Sequence, residues 1–285
     1  MQAGEPSRTA WAAAFHRAAH QVLEQGRIFS DPLALRILNQ DAAGIARLVE
    51  ERGADPRMRI FIAARTRFAE DSLAAACERG VSQLVVLGAG LDTYAYRGAL
   101  CDRLQIWEVD RPVTQMWKRQ RLAGAGIPVP SNLTFAPVDF ERETLADGLA
   151  VAGFDPRRQS FFTWLGVVPY LTGEAIRSTL GFISGLSGGA HVVFDYADPP
   201  ESLSEEMRAA HERRAARVAD AGEAFRSYFD ADAMRRKLMD LGFRDVDDLG
   251  PPQIAARYFP NRVASMPEKG GHVVRASSMP LWDML

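Results

Sequence analysis

Two glycines at the end of a short apolar run are the first residues of this sequence that suggest chemistry. The run Gln83–Leu87 is typical of a buried parallel strand, and Gly88-Ala89-Gly90 follows it directly. Glycine has no Cβ, so such a turn lets the backbone approach a ligand closely. A dinucleotide-binding turn requires a third glycine where Thr93 stands here. The turn therefore favours an adenosyl ligand without a pyrophosphate over NAD.

Two acidic residues follow the next two apolar runs. Asp110 comes after Leu104–Val109, and Asp139 comes after Leu133–Val138. An acid at the first of these positions suits the two hydroxyls of a ribose. Asp139 or a neighbouring amide could accept a hydrogen bond from an adenine amino group, although a helix cap would also explain it. A glycine turn after the first strand, followed by an acidic residue after each of the next two strands, predicts an adenosine site.

Strands and helices alternate through the middle of the chain, which predicts a doubly wound, mostly parallel α/β sheet with a ligand crevice at the carboxyl ends of its strands. A fourth and a fifth strand are expected at Ser160–Trp164 and His191–Phe194. Two further strands near the end, Asp245–Leu249 and His272–Ala276, make the expected sheet seven-stranded.

We expect a helical region over residues 1–80 that packs over the cofactor site, followed by a Rossmann-like domain over residues 81–285. Asp31-Pro32 and Asp55-Pro56 are predicted helix starts, because proline is favoured at the first helical position. The charged segment Glu201–Phe229 predicts a helical insertion at about residues 200–230. It either covers the crevice as a lid or forms a solvated pair of surface helices.

Composition excludes several other classes of protein. The 285 residues are 47% hydrophobic and 25% charged with a net charge of −2, which is ordinary for a globular protein and argues against a nucleic-acid partner. Cys77 and Cys101 form no metal-ligand pattern, so no metal is expected. No uncharged run reaches the roughly 20 apolar residues of a membrane span, and no signal peptide is visible. We expect a cytoplasmic protein that does not associate with membranes.

Six motifs follow one another along the chain. They are Phe29-Ser30-Asp31-Pro32-Leu33-Ala34, Ala64-Arg65-Thr66-Arg67-Phe68, Val86-Leu87-Gly88-Ala89-Gly90-Leu91-Asp92-Thr93, Glu108-Val109-Asp110-Arg111-Pro112, Val138-Asp139-Phe140 and Gly166-Val167-Val168-Pro169-Tyr170-Leu171. Together they resemble the leucine carboxyl methyltransferase family, in its bacterial branch of S-adenosylmethionine-dependent O-methyltransferases. The resemblance runs from about residue 9 to residue 196.

The resemblance implies a class I methyltransferase fold and S-adenosyl-L-methionine as the cofactor. It implies that Arg65 binds the carboxylate of the methionine part, which suits the bidentate geometry of a guanidinium, whereas a surface arginine is the alternative. Asp110 would bind the ribose, and Asp139 and Phe140 the adenine edge. The full set of cofactor-binding residues that it implies is Arg65, Gly88, Ala89, Gly90, Asp110, Arg111, Asp139, Phe140 and Leu165.

The sequence departs from the family at two positions. Leu165 stands where the family often has an acid, and Tyr94 stands where it commonly has arginine, although Arg97 is kept. These changes concern the acceptor of the methyl group rather than the cofactor.

The catalytic residues are weakly marked, because a sulfonium is an activated leaving group and the enzyme mainly aligns the reactants and excludes water. A carboxylate acceptor needs no base, whereas a phenol would benefit from one. His211 is a candidate base, or else an exposed histidine. Tyr170 and Tyr94 could line the acceptor pocket or simply pack. Arg97 could pair with a substrate carboxylate, with Asp92 or with Glu108.

The sequence therefore predicts methyl transfer to a hydroxyl or carboxylate oxygen of a small molecule. Two alternatives remain, methylation of a protein C-terminal carboxylate and a non-catalytic S-adenosylmethionine-binding protein. An NAD-dependent oxidoreductase is disfavoured by Thr93. An amino-methyltransferase of nucleic acids is disfavoured because Leu165-Gly166-Val167-Val168 replaces the signature expected after the fourth strand.

Overall fold

The structure is a computed structural model, which describes residues 7–98, 100–138, 143–220 and 222–279. Asp139 and Phe140, the two residues expected at the adenine edge, lie outside the described residues. No helix in the described part of the chain is long and apolar enough to cross a membrane.

Seven strands form one sheet in the order β3-β2-β1-β4-β5-β7-β6, which confirms the predicted seven-stranded, mostly parallel α/β fold. β7 runs antiparallel to β5 and β6, whereas the pairs β1–β2, β2–β3 and β4–β5 are parallel. The strands are β1 (Gln83–Leu87), β2 (Gln105–Asp110), β3 (Leu133–Pro137), β4 (Ser160–Trp164), β5 (Ala190–Ala197), β6 (Asp245–Leu249) and β7 (Gly271–Ser277).

Ten α-helices are seen within the described ranges. Thr172 caps α7, since its side chain accepts from the backbone N–H of Ala175. The helices are α1 (Arg8–Leu23), α2 (Ala42–Arg52), α3 (Pro56–Cys77), α4 (Tyr94–Arg97), α5 (Pro112–Gly124), α6 (Leu145–Val151), α7 (Gly173–Ser184), α8 (Glu205–Asp220), α9 (Ala231–Asp240) and α10 (Pro251–Tyr258).

The helix start predicted at Asp31-Pro32 is wrong. Turns follow Asp31, and only a short 3₁₀ helix, Arg36–Leu38, forms there. The Asp31 carboxylate accepts from the backbone N–H of Leu33 two residues on, a local bond that competes with helical pairing. The second start is correct, because α3 begins at Pro56.

The chain divides into two compact units. The first unit contains the described residues within 7–74 and 82–154. It therefore includes the N-terminal helices together with β1, β2 and β3. One buried apolar cluster joins Phe15 and Ile37 to Leu91 and Leu122 in this unit. The second unit contains residues 75–81 and 155–279 of the described chain. Neither unit coincides with the expected regions 1–80 and 81–285, because each unit contains residues from both regions. The domain boundary near residue 80 therefore remains a prediction.

The segment predicted as an insertion lies in the second unit. It begins in a short 3₁₀ helix, Pro200–Ser202, and forms one α-helix, α8, after which residues 222–229 continue without a helix. The interpretation as a pair of helices is therefore wrong for the described residues. A role as a lid remains a prediction.

Candidate active site

The glycine turn after β1 has the backbone conformation that its residue types predict. Gly88 and Gly90 have φ angles of 62° and 43°, in the left-handed region that favours glycine. A Cβ on Gly90 would lie 2.9 Å from the Cβ of Ala10, because α1 runs directly against the turn. Ala89 donates its N–H to the Val109 carbonyl over 3.1 Å. The turn is thus held between the end of β2 and the N-terminal helix.

Asp110 is tied to this turn by its own carboxylate. Its Oδ2 accepts from the Gly90 N–H at 2.6 Å, and its Oδ1 accepts from the Arg111 N–H at 2.7 Å. Burial raises the pKa of Asp110, and the two N–H donors oppose that shift. Each carboxylate oxygen has a second lone pair, so this oriented group can still accept from two hydroxyls. That chemistry fits the ribose of an adenosyl ligand.

Arg65 lies on α3 in the same unit, and its side chain is only 7% exposed. Its guanidinium carbon lies 5.8 Å from the centre of the Phe61 ring. The alternative of a surface arginine is therefore wrong. One compact unit thus contains a buried guanidinium that can donate to the methionine carboxylate of S-adenosylmethionine and an oriented carboxylate that can accept from its ribose hydroxyls.

Thr93 is fully buried and has a clear role in place of the absent third glycine. Its φ angle is −119°, so the backbone does not require glycine there. Its hydroxyl donates to Asp31 Oδ2 at 2.7 Å and accepts from Arg97 Nε at 3.0 Å. The sequence reasoning missed the role of Asp31, although its motif was part of the resemblance.

Arg97 pairs with two carboxylates of the first unit. Its Nη2 donates to Glu70 at 2.6 Å, and its Nε lies 3.1 Å from Asp31. Burial raises the pKa of Glu70, and Arg97 opposes that shift. Glu108, a partner considered for Arg97, instead pairs with Lys118 at 2.7 Å. These contacts make Arg97 a structural link between α4, α3 and the segment at Asp31.

A cavity of about 290 Å³ lies beside the Arg97–Glu70 pair, and Phe29 and Tyr94 line it. Gly88, Gly90 and Asp110 are not among its lining residues, so this cavity is separate from the predicted cofactor crevice. Its carboxylates are already paired, Glu70 with Arg97 and Asp71 with Arg67. Tyr94 thus lines this cavity, and its place in the acceptor pocket remains a prediction.

The turn after β4 lies in the second unit and is held by a carboxylate from β5. Gly166, with a φ angle of 74°, donates its N–H to Asp195 Oδ1 at 2.6 Å. Leu165, which precedes it, is partly buried. The acid expected from the family at Leu165 is thus absent, while an acid on the neighbouring strand fixes the turn.

The segment that follows α8 packs onto the residues after this turn. Arg226 donates its N–H to the Pro169 carbonyl at 2.7 Å, and the Ser227 hydroxyl donates to the Leu171 carbonyl at 2.5 Å. As a result, the ring of Phe225 lies 5.2 Å from Tyr170 and 5.6 Å from His211. The structure therefore brings together two catalytic candidates that are far apart in sequence.

We call Tyr170, His211, Phe225 and Tyr228 the aromatic cluster. His211 is 7% exposed, so the alternative of an exposed helix histidine is wrong. Burial and the neighbouring Arg214 lower its pKa. Its Nε2 lies 2.9 Å from the Tyr228 hydroxyl. The sequence reasoning missed Phe225 and Tyr228, because only tertiary contact gives these residues a role.

Known proteins share their sequence or their fold with this chain. Residues 10–184 match the family model described as leucine carboxyl methyltransferase. A Bacillus subtilis protein named "Putative S-adenosyl-L-methionine-dependent methyltransferase YktD" is 31% identical over 92% of this chain and 94% of its own. A Mycobacterium avium protein of the same description is 33% identical over 70% of this chain and 63% of its own. A crystal structure of a methyltransferase-like protein from Thermobifida fusca shares the fold, with a TM-score of 0.58, 14% identity and 96% coverage of both chains.

Proposed function

This chain belongs to the leucine carboxyl methyltransferase family, and we propose that it methylates an oxygen atom of a small molecule, either a hydroxyl or a carboxylate. It is a methyltransferase whose cofactor is S-adenosylmethionine. That cofactor, when bound, supplies a methyl group on a positively charged sulfur, which is already an activated leaving group. The protein must then bind the acceptor, align its oxygen with the methyl group and exclude water.

The cofactor-binding role that we propose for the first unit depends most on Asp110. Its carboxylate is oriented by the N–H groups of Gly90 and Arg111 and keeps lone pairs for ribose hydroxyls. Gly88 and Ala89 form the backbone wall of the same turn, and Arg65 supplies a buried cation for the methionine carboxylate. We retain Asp139, Phe140 and Leu165 as proposed contacts on the strength of the family resemblance alone.

The aromatic cluster is the observation that carries the proposal for the acceptor. Phe225 packs against Tyr170 at 5.2 Å and against His211 at 5.6 Å. Tyr170 and Phe225 are only partly buried, so they present an aromatic surface on which a flat or apolar organic molecule could pack. A hydroxyl and an imidazole accompany the apolar surface, so a polar group of the acceptor can be oriented there. These features favour a small molecule over a bulky partner such as nucleic acid. A cytoplasmic location is proposed with it, supported by two buried cysteines, Cys77 and Cys101, that are not joined in a disulfide.

The first test measures cofactor binding by calorimetry. We expect Asp110→Ala to weaken the binding of S-adenosylmethionine by about 10-fold or more, because hydrogen bonds to a charged group are lost. Asp102→Ala is the matched control, since Asp102 is exposed in the same unit. Unchanged affinity in Asp110→Ala would disprove the ribose assignment.

The second test identifies the methylated atom. The protein is incubated with methyl-labelled S-adenosylmethionine and a panel of small carboxylates, phenols and amines, together with a peptide ending in leucine. Methyl esters release labelled methanol in base, whereas aryl methyl ethers do not. Transfer to small-molecule oxygen is the expected result. Transfer only to amines or only to the peptide, or binding without any transfer, would contradict the proposal.

A further inference from the structure

A chain of three hydrogen-bonding groups runs through the aromatic cluster. Arg214 Nη2 lies 3.2 Å from His211 Nδ1, and His211 Nε2 lies 2.9 Å from the Tyr228 hydroxyl. The guanidinium also lies 5.9 Å from the centre of the Phe225 ring, and the His211 ring stacks on the same phenylalanine at an angle of 22°. The histidine ring is therefore fixed both in position and in rotation.

The direction of each hydrogen bond follows from the groups involved. Guanidinium has donors and no acceptor, so His211 Nδ1 must offer its lone pair to Arg214. Burial and Arg214 lower the pKa of His211, while Glu212 opposes them, so the ring is neutral at pH 7. The ring proton of neutral His211 is consequently on Nε2. It is donated to the oxygen of Tyr228, and the histidine has no lone pair left to take a proton from an acceptor.

Tyr228 keeps its own hydrogen in this arrangement. Burial raises the pKa of its phenol and Glu201 adds to that effect, whereas Arg214 opposes it. The group is thus a phenol at neutral pH rather than a phenolate. Among the described residues the Tyr228 hydroxyl hydrogen-bonds to His211 alone. The phenol is partly exposed, so its O–H can be donated to a ligand.

We propose that Tyr228 donates a hydrogen bond to the methyl acceptor, that His211 is a positioning residue for Tyr228 rather than a general base, and that the acceptor therefore enters as an oxyanion. This inference rests on the proposed function. It assigns a specificity-determining role to Tyr228 and selects acceptors that are ionised before they bind, such as carboxylates and acidic phenols or enols.

The reaction balances without a base. The acceptor oxyanion forms the new oxygen–carbon bond as the methyl–sulfur bond breaks, and the electron pair of that bond stays on sulfur. No proton has to leave the acceptor. In a carboxylate, the oxygen that is not methylated can accept the hydrogen bond from Tyr228, so the attacking oxygen keeps its reactivity.

The first experiment needs no acceptor. Nitrogen-15 NMR of the full chain at pH 7 should show His211 as the neutral tautomer with the proton on Nε2. Arg214→Met should remove the constraint on the tautomer, whereas Arg213→Met, at the exposed neighbouring position, should not. A proton on Nδ1, or an imidazolium at pH 7, would overturn the assignment.

The second experiment compares variants with the acceptors benzoate, 4-nitrophenol and phenol. We expect Tyr228→Phe to raise KM for the ionised acceptors about 10-fold, since a hydrogen bond to a charged group is lost. His211→Gln should stay within about 3-fold of the parent, because its amide can donate to Tyr228 and accept from Arg214. His211→Leu should resemble Tyr228→Phe. Tyr258→Phe is the control for removal of a phenol elsewhere in the second unit.

The pH profile separates the two roles of His211. With an oxyanion acceptor, the acidic limb of kcat/KM should follow the pKa of the acceptor, and it should be unchanged in His211→Gln. A limb that is the same for all acceptors, combined with a loss of about 100-fold in His211→Gln, would identify a general base and overturn this inference. Absence of oxygen methylation with every acceptor would instead refute the proposed function, and the NMR result would still stand.

Discussion

The hydroxyl of Thr93 donates a 2.7 Å hydrogen bond to the buried carboxylate of Asp31, which joins the turn after β1 to the segment that follows α1. The same carboxylate lies 3.1 Å from Arg97 Nε and 3.6 Å from Arg17 Nε. The position that a dinucleotide fold gives to glycine is used here to connect the turn after β1 to the N-terminal helices.

Replacement of Thr93 by valine should destabilise the protein by about 1–3 kcal/mol, because valine keeps the shape but leaves a buried carboxylate without its hydroxyl donor. Urea unfolding measures the change. Thr179→Val on α7 is a suitable control and should change stability by less than about 0.5 kcal/mol. Equal effects of the two substitutions would mean that the bond to Asp31 contributes nothing specific.

Gly90→Ala should destabilise the protein for two reasons, a φ angle of 43° and a Cβ placed 2.9 Å from the Cβ of Ala10. Gly53→Ala separates them, because Gly53 has a φ angle of 69° and nothing within 4 Å of an added Cβ. We expect thermal unfolding to show a larger loss for Gly90→Ala than for Gly53→Ala, by about 1 kcal/mol or more.

A double mutant tests the cause of that difference. Ala10→Gly removes the opposing Cβ and should recover part of the loss in the Gly90→Ala background, beyond its own cost as a glycine in a helix of about 1 kcal/mol. Strict additivity of the two substitutions would show that α1 does not press on the turn.

His272 predicts a pH dependence of stability in the second unit. Its Nδ1 and Nε2 lie 3.0 Å from Asp248 and from Asp198, respectively, and its ring stacks on Tyr196. Burial alone would lower its pKa, but the two carboxylates outweigh burial and raise it above the ordinary histidine value of 6.5. A raised histidine pKa gives stability that is complete below pH 6.5 and is lost as the pH rises through the raised value.

The experiment follows the free energy of unfolding between pH 6 and about 9. The parent should lose stability across this range, and His272→Gln should show a smaller slope. His191 is a useful reference, since burial lowers its pKa to about 4 and its titration falls below this window. An identical slope in His191→Gln and His272→Gln would contradict the role of the two aspartates.

Local sequence patterns predicted the strands well. The segments predicted at residues 83–87, 160–164 and 245–249 match the observed bounds of β1, β4 and β6. β1 is buried along its whole length, as a central parallel strand requires. β6 contains three aspartates, and only Val246 and Leu249 are buried in it. The same kind of local pattern predicted a helix start at Asp31-Pro32, and that prediction is wrong. The Asp31 carboxylate is used by Thr93 and Arg97, partners more than 60 residues away, which no local pattern reveals.

The sequence by itself determined the sheet, the glycine turn and the acid Asp110 at the end of β2, because these depend on hydrophobic periodicity and on the conformational freedom of glycine. Tertiary structure alone decided that Arg97 is a structural link, that His211 is buried beside Tyr228, and that Phe225 joins it to Tyr170. The physical reason is that the charge, proton position and accessibility of a side chain depend on neighbours from distant parts of the chain. Spacing along the sequence does not specify those neighbours.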